Sequence, residues 1–259
     1  MQNTEPIAEA VILMAGVGSR LGAGNVAVAK PLVRIGGQPL ICYLFDALEC
    51  AGVRTVHAVM GSESYRFAAE LRPLLPENIS LNEIVNPNWQ KQNGVSALCA
   101  AEAVSGPFLL TMADHLFEFA ILKTLLAEAD RTQVNLAVDK KIESIFDLED
   151  ATKVQTREGR VIAIGKDLQA YDAIDTGAFL CSQELFHYLR GAQRNGDCSL
   201  SDGIRLMAAD AKVRAIDIHD AWWQDVDTPE MLRRAEEESA RLLRDGGSRL
   251  AQKSFARQS

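Results

Sequence analysis

The chain of 259 residues carries 27 Lys and Arg against 35 Asp and Glu, and this net charge of −8 argues against a nucleic-acid binder, which needs a basic face. Its length suffices for a full core as one large α/β domain, or one domain with an inserted lobe. No uncharged apolar run approaches about 18 residues, so no membrane insertion is expected. The five cysteines are odd in number, widely spread and without metal-ligand spacing. With no export signal over Met1–Glu9 they read as reduced thiols of a cytoplasmic protein.

The first element is Val11-Ile12-Leu13-Met14, an apolar run that stops at Ala15-Gly16-Val17-Gly18-Ser19-Arg20. Four apolar residues bounded by glycine predict a buried strand followed by a tight turn. Gly16 and Gly18 let the chain bend and present bare N–H groups, which together make an anion hole. Arg20 and Lys30 put two cations beside it, and the combination points to a polyphosphate. Other readings of the glycines stay open. One is a plain strand-turn. Another is a dinucleotide loop, whose third glycine is replaced by Leu21 although Glu63 stands where a ribose-binding acid could. A Walker loop needs Gly-Lys-Ser/Thr, and that tripeptide does not occur.

Leu13 to Leu21, followed by Lys30-Pro31-Leu32, resembles the signature of the nucleotidyltransferases that activate phosphorylated sugars, polyols and aminoalcohols. The resemblance implies that Ala15, Gly16, Gly18 and Ser19 hold the nucleotide while Arg20 and Lys30 embrace its triphosphate.

After a turn at Gly36-Gly37-Gln38-Pro39, helical spacing runs from Leu40 to Ala51 and stops at Gly52. Thr55–Met60 is a second strand, Ser62 and Glu63 open a short helix that Pro73 closes, and Ile79–Val85 is a third strand. This alternation predicts parallel crossovers and a doubly wound, Rossmann-like, mostly parallel sheet. The polar loop Asn86–Gly94 precedes a helix over Val95–Val104. It reads either as a turn with a helix cap or as a base-recognition loop, since amides pair with base edges. The family resemblance implies the second, with Asn93, Gly94 and Ser96 holding base and ribose. Phe108–Met112 is another strand, and Ala113-Asp114-His115 follows it at the carboxyl end, where open sheets bind ligands.

From Val134 to Leu180 charged residues interleave with short β-prone pieces, and Glu158-Gly159 is a hairpin signal. A small antiparallel lobe over about 134–182, set beside the nucleotide domain, is expected. Asp150–Val154, Glu158–Val161, Ile164–Leu168 and Asp175-Thr176-Gly177 resemble CTP:inositol-1-phosphate cytidylyltransferases. With the glycine loop and the later Asp cluster, the resemblance covers roughly residues 10 to 240. Ser199 or Ser201 caps a helix to Asp210, and Val213–Ile218 is a strand. Trp222-Trp223-Gln224-Asp225-Val226-Asp227 leads into Thr228-Pro229-Glu230, the start of a helix to about Arg244. A single domain over 8–247 is expected, with a disordered tail at 248–259.

The resemblance implies Mg²⁺ held by Asp114 and one of Asp225 and Asp227, the later ranking first. It implies that Lys166 grips the acceptor's phosphate and that Asp175 and Thr176 bond acceptor hydroxyls; His115 reads either as supporting a neighbouring ligand residue or as facing the substrate. The expected partners are CTP or another NTP and a small phosphorylated acceptor, inositol 1-phosphate first; a homodimer is left open. Alternatives are the same transfer to a phosphonate, phosphocholine or a sugar 1-phosphate, a nicotinamide-dependent oxidoreductase, or a nucleotide sensor that releases no pyrophosphate.

Overall fold

A computed structural model describes residues 6–16, 29–62 and 64–245. Gly18, Ser19, Arg20, Leu21, Glu63 and the tail at 248–259 therefore lie outside the described residues. Strand β1 (Glu9–Leu13) is buried on both faces because its apolar run alternates between two cores: Ala10 and Ile12 face one, Val11 and Leu13 the other. A two-strand hairpin follows, β2 (Arg34–Ile35) and β3 (Gln38–Pro39), and leads into helix α1 (Leu40–Cys50).

Next come β4 (Thr55–Gly61), the one-turn α2 (Ala68–Leu71), β5 (Ser80–Asn86) and α3 (Asn93–Cys99). Two of these helices differ from expectation. α2 is flanked by 3-10 turns at Ser64–Phe67 and Arg72–Leu74, and Pro73 lies within the second turn instead of closing a helix. α3 ends at Cys99, not Val104: beyond it the bonds tighten, Ala100 N–H to Ala97 O and Ala101 N–H to Leu98 O. That turn brings Ser105 and Gly106 N–H onto the Glu9 carboxylate at the foot of β1.

The chain continues through β6 (Phe108–Met112), β7 (His115–Phe117), α4 (Phe119–Glu128), β8 (Val134–Asp139), β9 (Lys153–Arg157), β10 (Arg160–Gly165) and β11 (Ala173–Cys181). The last elements are α5 (Glu184–Ala192), α6 (Leu200–Ala209), β12 (Val213–Asp217), β13 (Trp223–Asp225) and α7 (Pro229–Asp245). Ser199 is the cap of α6, in a reciprocal capping box with Asp202. Glu158 and Gly159 join β9 to β10 with φ of 52° and 72°, the left-handed pair that a tight hairpin requires.

Among the described residues nine strands form one sheet in the order β5-β4-β1-β6-β11-β8-β12-β10-β9. The β5, β4, β1 and β6 half is parallel, and β11 runs antiparallel between β6 and β8. The antiparallel pieces expected as a lobe are thus the far half of the same sheet. β9 pairs with β11 as well as β10, so that half closes on itself. α1 and α4 cover one face and α3, α5 and α6 the other, which makes a three-layer α/β/α fold. No helix among the described residues is long and apolar enough to cross a membrane.

The second core is anchored by Phe108 on β6, stacked on Phe186 of α5 with centroids 5.3 Å apart and planes 2° from parallel. Both rings are buried. Phe108→Ala should cost about 3–5 kcal/mol in urea unfolding, from lost transfer energy plus the cavity left behind. A loss below about 1 kcal/mol would mean the ring is not the keystone of that layer.

Candidate active site

At the carboxyl end of the parallel strands lies a cavity of about 660 Å³. Ala15 and Gly16 line it as β1 runs out of the sheet, after Met14 N–H has donated to Val59 O at 2.9 Å. A Cβ on Gly16 would meet no atom of the described residues within 4 Å. Lys30 begins a 3-10 turn whose Pro31 is buried. Its Nζ donates to Asp114 Oδ2 at 3.0 Å and also to Asp227 Oδ1.

Asp114 and Asp227 are far apart in the chain, and the short ribbon of β7 and β13 unites them. Asp225 pairs with His115 across it, and Val226 N–H donates to Asp114 O at 2.8 Å. The ribbon packs on α7 through Leu116, Val226 and Ala235. Burial alone would push the Asp114 carboxyl up, but the His115 hydrogen bond and the Lys30 charge hold it well below the usual carboxylate range. Lys30 is moved the opposite way: burial lowers it, and the two carboxylates more than compensate, so it stays an ammonium. Asp225 lines the cavity beside His115, and burial raises its carboxyl.

His115 is fixed on three sides. Its Nδ1 lies 2.9 Å from Asp114 Oδ1, its ring stacks on Trp223 at 5.9 Å and 11°, and Gly177 backs it. A Cβ on Gly177 would fall 2.6 Å from His115 Nε2, and the backbone there has φ +73°. Trp223 is held in turn, its Nε1 donating to Asp139 Oδ2 at 2.9 Å. Asp175 lines the cavity and accepts the Gly177 N–H at 2.8 Å, while burial pushes its carboxyl up to about 6.

Three of the expected substrate contacts turn out differently. Thr176 does not reach the cavity: it is buried and its hydroxyl donates to Ala137 O at 2.8 Å, because successive β11 residues face opposite ways. Gly94 serves packing, since a Cβ there would strike the backbone of Cys198 and Ser199 at 2.7 Å. Asn93 lines the cavity, and its Oδ1 already accepts the Leu200 N–H at 2.8 Å. Ser96 lines the cavity and is buried, its Oγ accepting from Asn86 Nδ2 at 2.9 Å. Lys166 lines the opposite wall, more than half exposed and paired with Asp150.

Sequence reading passed over Asp139, Lys141, Phe146, Trp222 and Arg234, all of which line this cavity. The signal available was the Trp-Trp pair directly before Asp225; the others come from segments that only the closure of the sheet brings here.

The profile of the MobA-like NTP transferase domain matches residues 10–148. The chain belongs to that family. The match covers the parallel half of the sheet, the Lys30 turn and Asp114, while Asp227 lies beyond it. A bifunctional IPC transferase and DIPP synthase of Thermococcus kodakarensis is 36% identical over 233 residues, 87% of this chain and 49% of that protein. A CMP-5'-(3-aminopropyl)phosphonate synthase of Streptomyces rubellomurinus is 30% identical over 250 residues, 88% of this chain and 38% of that protein. The chain thus spans half or less of each. The inositol-1-phosphate CTP transferase from T. maritima superposes with a TM-score of 0.79 at 24% identity, covering 90% of this chain and 98% of that one, a likeness of fold.

Gly177→Ala should displace His115 from Trp223. The expected result is a loss of about 1–3 kcal/mol in stability, with a changed tryptophan emission. Unchanged emission and midpoint would show that His115 is not held by this contact.

Proposed function

We propose that this MobA-like transferase chain moves a cytidylyl group from CTP to a phosphorylated polyol, inositol 1-phosphate first, and releases pyrophosphate. The observation that carries the reading is the pair of carboxylates, Asp114 and Asp227, that meet on one ammonium at the end of the glycine-loop strand. The relative from T. kodakarensis, similar across most of the chain and named as an IPC transferase, supports the choice of substrates.

The reaction is an in-line displacement. An oxygen of the acceptor's phosphate attacks the α-phosphorus of CTP, and the bond to the bridging oxygen breaks as pyrophosphate leaves. Two anions must approach, and like charges about 4 Å apart repel by about 4 kcal/mol at an effective dielectric near 20. Lys30 turns from the aspartates to the β and γ phosphates and stabilises the leaving group. Arg20 takes the same role on the reading of its sequence position alone.

The aspartates fit a hard divalent cation. They already converge on one cationic atom, and two carboxylates leave the remaining positions to phosphate oxygens and water, as Mg²⁺ prefers. Asp114 and Asp227 would hold Mg²⁺, which would supply Lewis-acid charge at the α-phosphate. His115 and Trp223 keep Asp114 oriented from behind. Asn93 offers its Nδ2 to an acceptor on the base, and Asp175 faces the acceptor's hydroxyls. A second reading, the same transfer to a phosphonate, is favoured by the S. rubellomurinus relative. The metal and phosphate machinery would be unchanged.

A panel of four NTPs against inositol 1-phosphate, phosphocholine, a sugar 1-phosphate and 3-aminopropylphosphonate, read by pyrophosphate release, tests the proposal. Release with CTP and inositol 1-phosphate is expected, and NTP binding without release from any pair would make this a sensor. Asp114→Asn and Asp227→Asn should each lower kcat by about 100-fold or more, with the double variant hardly worse than either, since partners on one ion are not additive. Multiplying losses would separate the two residues.

A further inference from the structure

The cations along the cavity wall are not equivalent. Among the described residues Lys91, Lys141, Lys166 and Arg234 line it. Lys91 donates to Gly196 O at 2.9 Å. Lys141 is paired with Asp139 at 2.9 Å and bonded to the carbonyls of His219 and Ala221. Lys166 is paired with Asp150. Arg234 differs. Its guanidinium lies over the ring of Phe146, the centroid 4.5 Å from the guanidinium carbon, and it forms no ion pair among the described residues.

Phe146 belongs to the connection from β8 to β9, and Asp150, the partner of Lys166, lies in the same connection. Through Phe146, Arg234 therefore sits against the connection that also carries the partner of Lys166, the residue expected to meet the acceptor. Phe146 is 40% exposed, much for a large apolar ring, and lies open to the cavity. A guanidinium laid on an aromatic face is held in plane and shed of water on that side, while its edge N–H groups stay available. Such a fork matches two oxygens of a phosphate group, which a point-charge ammonium does not. Lys166 would first have to leave Asp150; Arg234 gives up no ion pair.

Building on the transfer proposed above, we infer that Arg234, levelled by Phe146, binds the acceptor's phosphate. Two non-bridging oxygens rest on the guanidinium edge, and the third is left to attack the α-phosphorus. Orientation, more than charge alone, is its contribution. A phosphonate presents the same three oxygens, so this contact reads the anionic group and not the atom that bears it.

The test is steady-state kinetics with CTP and inositol 1-phosphate varied separately. Arg234→Ala should raise the acceptor KM by about 10- to 150-fold, the range of a lost charged hydrogen bond, and move the CTP KM by less than about twofold. Arg234→Lys, which keeps charge and stem and spares α7, should give a smaller rise in acceptor KM only. Phe146→Leu should likewise raise the acceptor KM and spare CTP, because the guanidinium loses its platform. An active wild-type protein whose Arg234 variants keep the acceptor KM would overturn the assignment, as would equal losses for both substrates. A Phe146→Leu variant with unchanged acceptor KM would remove the platform from it. Wild-type protein that releases no pyrophosphate with inositol 1-phosphate or 3-aminopropylphosphonate would instead overturn the transfer reading, and this inference with it.

Discussion

Lys30 lies between two aspartates that would repel each other without it. One follows β6 and the other precedes α7, and each is drawn to the same ammonium. Two unscreened carboxylates this close would cost several kcal/mol at a partly buried position, by the same arithmetic that sets about 4 kcal/mol for unit charges about 4 Å apart. The lysine offsets that cost in the free protein. It thereby keeps both carboxylates aimed at one point before any ligand arrives. His115 contributes from the side, held on Asp114 by the Trp223 stack and by the absence of a Cβ on Gly177.

The scaffold explains why those residues can meet. Parallel strands deliver Ala15, Gly16 and Asp114 to one edge of the sheet, where strand ends converge on the same crevice. The far half of the sheet turns back on itself through the β9–β11 pairing; its connections bring Phe146 and Lys166, and β11 brings Asp175, to the same cavity. The α7 helix closes the third side. Its buried Ala235 seats the β7/β13 ribbon, while Arg234, one residue earlier, points along a different direction and lines the cavity. One helix therefore supports the ribbon that carries Asp114 and Asp225 and also presents a cation to the cavity.

Much of this was legible in the chain. The apolar run into the glycines, the Lys-Pro turn, the Asp after β6 and the capped starts of α6 and α7 depend on local chemistry, and they lie where that chemistry puts them. What local patterning could not convey was direction and partnership. Thr176 and Asp175 are neighbours in a motif, yet the pleat sends one into the core and the other to the cavity. Gly94 looked like part of a ligand loop, and its need for a missing Cβ arises from the Cys198–Ser199 backbone a hundred residues on. Asn93 likewise spends its carbonyl oxygen on Leu200. The antiparallel pieces were legible as a group, but that they continue the same sheet shows only in their pairing. Arg234 stood in a run of charged helical residues and gave no sign that it lines the cavity.

The most direct measurement is a crystal structure of the chain with Mg²⁺ and a non-hydrolysable CTP analogue. The expected result is one ion on the Asp114 and Asp227 carboxylates, with the Lys30 ammonium withdrawn onto the β and γ phosphates. Nucleotide bound elsewhere, with Lys30 still bonded to both aspartates, would contradict the central claim that this ion pair marks the site of transfer.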